Sequence, residues 1–160
     1  MATKIVEHVA HNGCVRCLAI GRKSATLMAT GGDDHVVNLW SIGQTAPVMS
    51  FVGHCTPVEC VAFDGMETHV IAGSQGGTLK LWDVEGGTKN GGGKTFSGHQ
   101  SNCTVIDVHP HGDFFASGSM DTTLKVWDMR RRTCVSTYKV SLIVVEPACL
   151  VWTPARPIVP

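Results

Sequence analysis

Three short stretches hold residues whose types could do chemistry. The first is Gly86 to Thr95, GGTKNGGGKT, whose closing Gly93-Lys94-Thr95 has the spelling of the end of a phosphate-binding loop. Such a loop needs G-x-x-x-x-G-K-[ST], with its first glycine five residues before the glycine of GK. Thr88 occupies that place here, and Gly87 stands one position too early. Phosphate binding also relies on a helix that opens directly after the loop and turns its N–H groups toward the anion. The chain instead runs on into FSGHQ, so a nucleotide binder working through 86–95 is the weaker of the readings carried here. The second stretch, HNGCVRC, sets His11, Cys14 and Cys17 at a metal-like spacing. Zinc needs a fourth ligand and a loop that brings the thiolates together, whereas Cys14 and Cys17, three apart on an expected strand, should point to opposite faces. Strand packing is expected there, with no metal and no other cofactor. The third stretch, HPHGD at His109 to Asp113, reads as a turn, because Pro, Gly and Asp are good turn formers. No Ser/His/Asp set, carboxylate pair or nucleophile elbow has a recognisable local context, so catalysis is not expected.

The elements that must position these residues follow from an internal period. VNLWSI centres on Trp40, LKLWDV on Trp82 and LKVWDM on Trp127, at spacings of 42 and 45 residues. A histidine repeats in phase: His11, His54 and His99 precede those tryptophans by 29, 28 and 28 residues. Between each His and Trp lie two alternating apolar runs, VRCLAI and LMATGG, VECVAF and HVIAGS, CTVIDV and FFASGS. Period-two alternation ending in Gly or Ser reads as strand, strand, tight turn. The Trp strand follows, and APVMSFV, GKTFSG and TCVSTYK supply a fourth. Each unit is therefore expected to be a four-stranded antiparallel meander, with a period matching the roughly 40 to 45 residues of a propeller blade.

The histidines, the GH pairs and ASGSMDTTLKVWD at Ala116 to Asp128 resemble the WD40 family. That resemblance implies an all-β fold, a partial propeller of about three four-stranded blades with an irregular C-terminal tail. It also implies a structural set in each blade: His11, Thr30, Asp34 and Trp40 in the first, and His99, Ser117 or Ser119, Asp121 and Trp127 in the third, with Asp128 closing the WD pair. The second repeat offers His54 and Trp82 but places Gly76 where the Asp should be, so its network should be incomplete. The order of words ATGGDDHVVNLWSI, VIAGSQGGTLKLWD and HPHGDFFASGSMDTTLKVWDMRRRTCV further resembles the N-terminal propeller of the katanin regulatory, non-ATPase subunit family, over about Ile5 to Tyr138. What this implies is a non-catalytic interaction module that directs microtubule severing, with microtubules or tubulin and the katanin ATPase subunit as partners. The implied location is cytoplasmic and cytoskeletal, at microtubules, the centrosome or the spindle pole. A generic WD40 scaffold in another assembly is the alternative.

The expected organisation is an N-terminal strand at 1–10 that would pair with a last blade, repeats at 11–53, 54–98 and 99–139, and an atypical tail at 140–160. The tail has no GH or WD pair in phase, and it is expected to reflect truncation or read-through. Three blades fall short of the roughly four to eight that close a ring, so the outer faces of the first and third should stay open and sticky. Lys+Arg 13 balance Asp+Glu 13, which leaves no electrostatic footprint for nucleic acid or membrane. The N-terminus has no apolar h-region, and Glu146-Pro147 cut the late apolar run, so neither a signal peptide nor a membrane span is expected. Arg130, Arg131 and Arg132 form the one dense basic run and a candidate interaction loop for an acidic surface such as a tubulin tail.

Overall fold

The computed structural model describes residues 9–86, 93–111 and 113–139. Twelve strands follow one another: β1 (Val15–Ile20), β2 (Leu27–Gly32), β3 (Val37–Ser41), β4 (Met49–Phe51), β5 (Val58–Phe63), β6 (His69–Ser74), β7 (Leu79–Asp83), β8 (Lys94–Phe96), β9 (Cys103–Val108), β10 (Phe114–Ser119), β11 (Thr123–Asp128) and β12 (Thr133–Lys139). They form three four-stranded sheets in the orders β1-β2-β3-β4, β5-β6-β7-β8 and β9-β10-β11-β12, every neighbouring pair antiparallel. No helix occurs among the described residues. The fold is all-β, three blades of a propeller, as the period implies. The expected strand at 1–10 and the tail at 140–160 lie outside the described residues apart from Val9 and Ala10, which belong to no strand.

The first strand of each blade carries the geometry that matters most. A register shift lies between Val15 and Cys17 in β1 and between Val58 and Cys60 in β5. A bulge adds one residue to its strand and resets the alternation, so side chains three apart come to share a face. Val58 and Val61 both pack toward the first blade, while Cys60 packs toward the third. This corrects the alternation argument for Cys14 and Cys17. Cys14 is exposed and precedes β1, and the bulge falls between it and Cys17, whose thiol approaches the Val58 carbonyl at 3.9 Å.

Two apolar layers hold the blades together. Ala29, Val37, Leu39 and Phe51 of the first blade pack on Val58, Val61, Val70 and Trp82 of the second. Ile71, Leu79, Leu81 and Phe96 of the second pack on Cys103, Ile106, Phe115 and Trp127 of the third. Aromatic contacts cross both layers: Phe51 stacks on Trp82 at 5.5 Å, and Phe96 meets Phe115 edge-on at 5.2 Å. β1, β5 and β9 lie side by side and line an open groove of about 500 Å³, bordered by Leu18, Ile20, Phe63, Ile106 and Val108.

Candidate functional site

Blades one and three contain the same buried relay of hydrogen bonds. In the third, Trp127 Nε1 donates to Ser117 Oγ at 2.7 Å, Ser117 Oγ lies 2.7 Å from His99 Nε2, and His99 Nδ1 lies 2.9 Å from Asp121 Oδ2. In the first, Trp40 Nε1 donates to Thr30 Oγ1 at 2.9 Å, Thr30 Oγ1 lies 2.8 Å from His11 Nε2, and His11 Nδ1 lies 2.8 Å from Asp34 Oδ1. A neutral imidazole protonated on Nδ1 satisfies every group: Nδ1–H donates to the carboxylate, and Nε2 accepts from the hydroxyl. The carboxylates reach further, since Asp34 and Asp121 also accept from the Asn12 and Gln100 amides. The strand placement makes this possible, because Thr30 and Ser117 sit two residues beyond the partners of the Trp, Met28↔Trp40 and Phe115↔Trp127.

The order hydroxyl, imidazole, carboxylate is that of a hydrolytic triad. The surroundings decide against that chemistry. Ser117 is 0% exposed and its oxygen already accepts from the indole, so no substrate carbonyl reaches it. The relay pins the loop before each first strand to the tight turn between the second and third.

Electrostatics agree with a resting, neutral relay. Burial lowers the His99 pKa, against the opposing pull of Asp121. Burial pushes Asp121 up, but hydrogen bonds from Thr123, the Gln100 amide and His99 outweigh it and hold the carboxyl well below the usual range. Asp34 is lowered in the same way, burial being outweighed by His11 and the Asn12 and Val36 amides.

The middle blade has lost this relay twice over. Gly76 stands at the carboxylate position, and Ala72 stands where Thr30 and Ser117 supply the hydroxyl. His54, 7% exposed, keeps its place against Trp82 with ring centroids 5.5 Å apart. Among the described residues, neither ring nitrogen of His54 nor Trp82 Nε1 has a hydrogen-bond partner. Burial, then Lys80 and His35, push the His54 pKa down to about 4. The loss at Ala72 escaped the sequence reading, although aligning VIAGS with FFASGS shows it.

The remaining candidates fall elsewhere. Ser119 does not join the relay; its hydroxyl donates to the Ser101 carbonyl at 2.9 Å and accepts from the Asp121 amide. Asp128 accepts at 2.8 Å from the Arg130 and Arg131 amides and so caps the β11–β12 turn. Within that turn, Arg130 Nε lies 2.9 Å from Asp113, and the Arg130 and Arg131 side chains are largely in solvent. Arg132 holds a left-handed φ of 58°. HPHGD lies between β9 and β10, with the His109 amide bonded to the Phe114 carbonyl at 2.9 Å.

Of GGTKNGGGKT, residues 87–92 lie outside the described residues. Lys94 and Thr95 belong to β8, and Thr95 accepts from Lys80 Nζ at 2.9 Å. The phosphate-loop reading is corrected there, since the lysine and threonine that should open a helix form a strand. Gly93 packs on the Trp82 indole so closely that a Cβ would lie 2.5 Å from Nε1.

Sequence reasoning also missed Glu67. This buried residue, at a φ of 59° in the β5–β6 turn, accepts from the Lys23 and Ser24 amides at 2.5 and 2.7 Å and from Ser24 Oγ at 2.6 Å. It clasps the β1–β2 loop of the neighbouring blade. Among the described residues no group of three or more His, Cys, Asp and Glu side chains is placed to hold a metal, and no helix is long and apolar enough to cross a membrane.

A family model described as WD domain, G-beta repeat matches residues 3–41, 45–83 and 93–128. Among curated proteins, the chain is 49% identical over 74 residues to katanin p80 WD40 repeat-containing subunit B1 homolog KTN80.2 of Arabidopsis thaliana, covering 46% of this chain and 6% of that protein. It is 42% identical over 77 residues to katanin p80 WD40 repeat-containing subunit B1 of Danio rerio, covering 48% and 11%. Mitochondrial division protein 1 of Kluyveromyces lactis is 28% identical over 142 residues, covering 82% and 20%. The chain thus spans a small part of the length of each of these relatives.

Proposed function

The chain belongs to the WD40 repeat family, and from that premise we propose that it is a non-catalytic protein-interaction module of the katanin regulatory-subunit kind. The observation that carries this reading is the run shared with katanin p80 WD40 subunits over nearly half of the chain. On this reading its partners are proteins, namely microtubules or tubulin and the katanin ATPase subunit, and its place is the cytoskeleton, at microtubules, the centrosome or the spindle pole. The buried relays serve as blade pins at the residues named above, in repeats divided at 11–53, 54–98 and 99–139. The exposed Arg130–Arg132 turn supplies the positive surface for an acidic tubulin tail. A generic WD40 scaffold is the second reading, favoured by the longer though weaker match to mitochondrial division protein 1.

Co-sedimentation of the full chain with stabilised microtubules tests the proposal. The chain should pellet with polymer, less so on microtubules whose acidic tails have been trimmed, and the triple substitution R130E, R131E, R132E should weaken binding roughly tenfold, the scale of about 1.4 kcal/mol. A wild-type chain that stays in the supernatant at every tubulin concentration would favour the generic scaffold.

A further inference from the structure

The loop between β1 and β2 reads GRKSAT, residues 21–26. Arg22 and Lys23 set two cations directly before a serine, and residues 22–26 are all exposed. The Gly21 amide closes the loop on the Leu27 carbonyl at 2.9 Å, and the chain turns at Ala25, whose φ is 53°. At the tip, the Ser24 hydroxyl donates to Glu67 Oε2 at 2.6 Å, beside the Lys23 and Ser24 amides on Oε1. Among the described residues this is the one hydroxyl-to-carboxylate bond that joins two blades. The same oxygen accepts from the Thr26 amide and hydroxyl at 3.1 and 2.9 Å, so the loop's own bonds and the bond to the next blade meet on it. Burial pushes the Glu67 pKa up, but the Ser24 hydroxyl and the Ser24 and Lys23 amides outweigh it and hold the carboxyl below its usual range. Ser24 therefore faces an anion.

We propose that Ser24 is a phosphorylation site for a serine/threonine kinase that selects basic residues ahead of its acceptor, and that the phosphate opens the clasp between the first two blades. In the reaction the Ser24 oxygen bonds to the γ-phosphorus of ATP and the bond from that phosphorus to the bridging oxygen breaks. ADP leaves, and the hydroxyl proton passes to the kinase's base. Charge patterns of this kind set kinase choice, and Arg22 and Lys23 supply one. Residues 22–25 belong to no strand, so the acceptor can open locally while the sheets stay paired. The phosphoserine then carries a charge of about −1.5 to −2 on an oxygen that in the closed loop lies 2.6 Å from a carboxylate. Like charge at that distance excludes the closed loop, whereas the flanking Arg22 and Lys23 can hold the phosphate in an open one. The loop thus has two states, one tied to Glu67 and one tied to its own cations. The change reaches the groove that Arg22 borders.

Incubating the full chain with ATP and the catalytic subunit of cyclic-AMP-dependent protein kinase tests the site. Peptide mass spectrometry should place phosphate on Ser24, and Ser24→Ala should abolish that label. A chain with phosphoserine installed at position 24 during synthesis tests the consequence. Hydrogen exchange at the Lys23 amide should be at least roughly tenfold faster than in the unmodified chain, and faster than in Ser24→Ala, while β2–β3 amides keep their protection. Glu67→Gln keeps an acceptor and removes the charge, so it should cancel most of the phosphate's effect. Absence of phosphate from Ser24 would overturn the proposal, as would Lys23 protection that the phosphate does not change. Equal acceleration in Ser24→Ala, or an effect that survives Glu67→Gln, would do the same by showing that charge plays no part. Loss of β2–β3 protection would also count against it, since the change would then not be confined to the clasp.

Discussion

Ala72 has no polar atom on its side chain, and that absence governs its neighbours. With a hydroxyl there and a carboxylate at Gly76, Trp82 Nε1 and both nitrogens of His54 would have partners, as their counterparts do in the flanking blades. Unsatisfied buried groups cost about 1–3 kcal/mol each. Ala72→Ser combined with Gly76→Asp should therefore stabilise the chain by roughly 2 kcal/mol, read as a higher urea midpoint at unchanged slope. A Cβ at Gly76 meets only the Thr56 side chain, with Oγ1 at 3.2 Å and Cγ2 at 3.5 Å, so that side chain gives way by a few tenths of an ångström to admit it. His54 also sets a pH dependence. Its pKa falls from 6.5 to about 4 on burial, so between those values the unfolded chain binds the extra proton. Stability is then full above pH 6.5 and declines as pH drops through that window, by up to about 3 kcal/mol at the acid end. His99, lowered in the same direction, adds a smaller slope of the same sign. The lowered carboxylates Asp34 and Asp121 lose their contributions only in more acid solution. His54→Phe should flatten most of the decline between pH 6.5 and 4 in denaturant titrations and, by removing two unpaired buried nitrogens, should raise stability at pH 7.

At the level of elements, the second blade is fastened to the first by more than their apolar layer. Glu67 reaches from the β5–β6 turn into the β1–β2 loop and collects three hydrogen bonds there. Gly21 lies so close that a Cβ would fall 2.6 Å from the carboxylate. Glu67→Ala should speed hydrogen exchange of the Lys23 and Ser24 amides by roughly tenfold or more, with β2–β3 amides unaffected; equal protection in both proteins would show that the loop holds itself. This clasp was not legible in the sequence. It joins residues 43 and 44 positions apart that belong to no repeated motif, and its counterpart in the third blade is a glycine. The meander itself was legible, because strands half-buried in a layered fold must alternate and Trp40, Trp82 and Trp127 mark a fixed phase. The His–Asp–hydroxyl–Trp sets came from the resemblance to the WD40 family and not from the alternation. The bulges in β1 and β5 were not legible, since nothing in VRCLAI or VECVAF distinguishes a residue inserted into the ladder from one paired in it. Nor was Ala72, because an alanine in a buried strand reads as ordinary core.

Across the whole molecule, cohesion rests on the two apolar layers and the Glu67 clasp, with relays pinning the outer blades from within. The middle blade contributes to both layers and has no relay of its own. A chain emerging from the ribosome at about 5–20 residues per second exposes His11, Thr30, Asp34 and Trp40 early, and the first sheet can pin itself at once. The second has Trp82 stacked on Phe51 but no relay to lock it, and its Leu79–Leu81 face waits for Phe115 and Trp127. It therefore matures only after the third sheet is synthesised, which makes the interval between Phe96 and Trp127 the period during which the nascent chain most needs a chaperone.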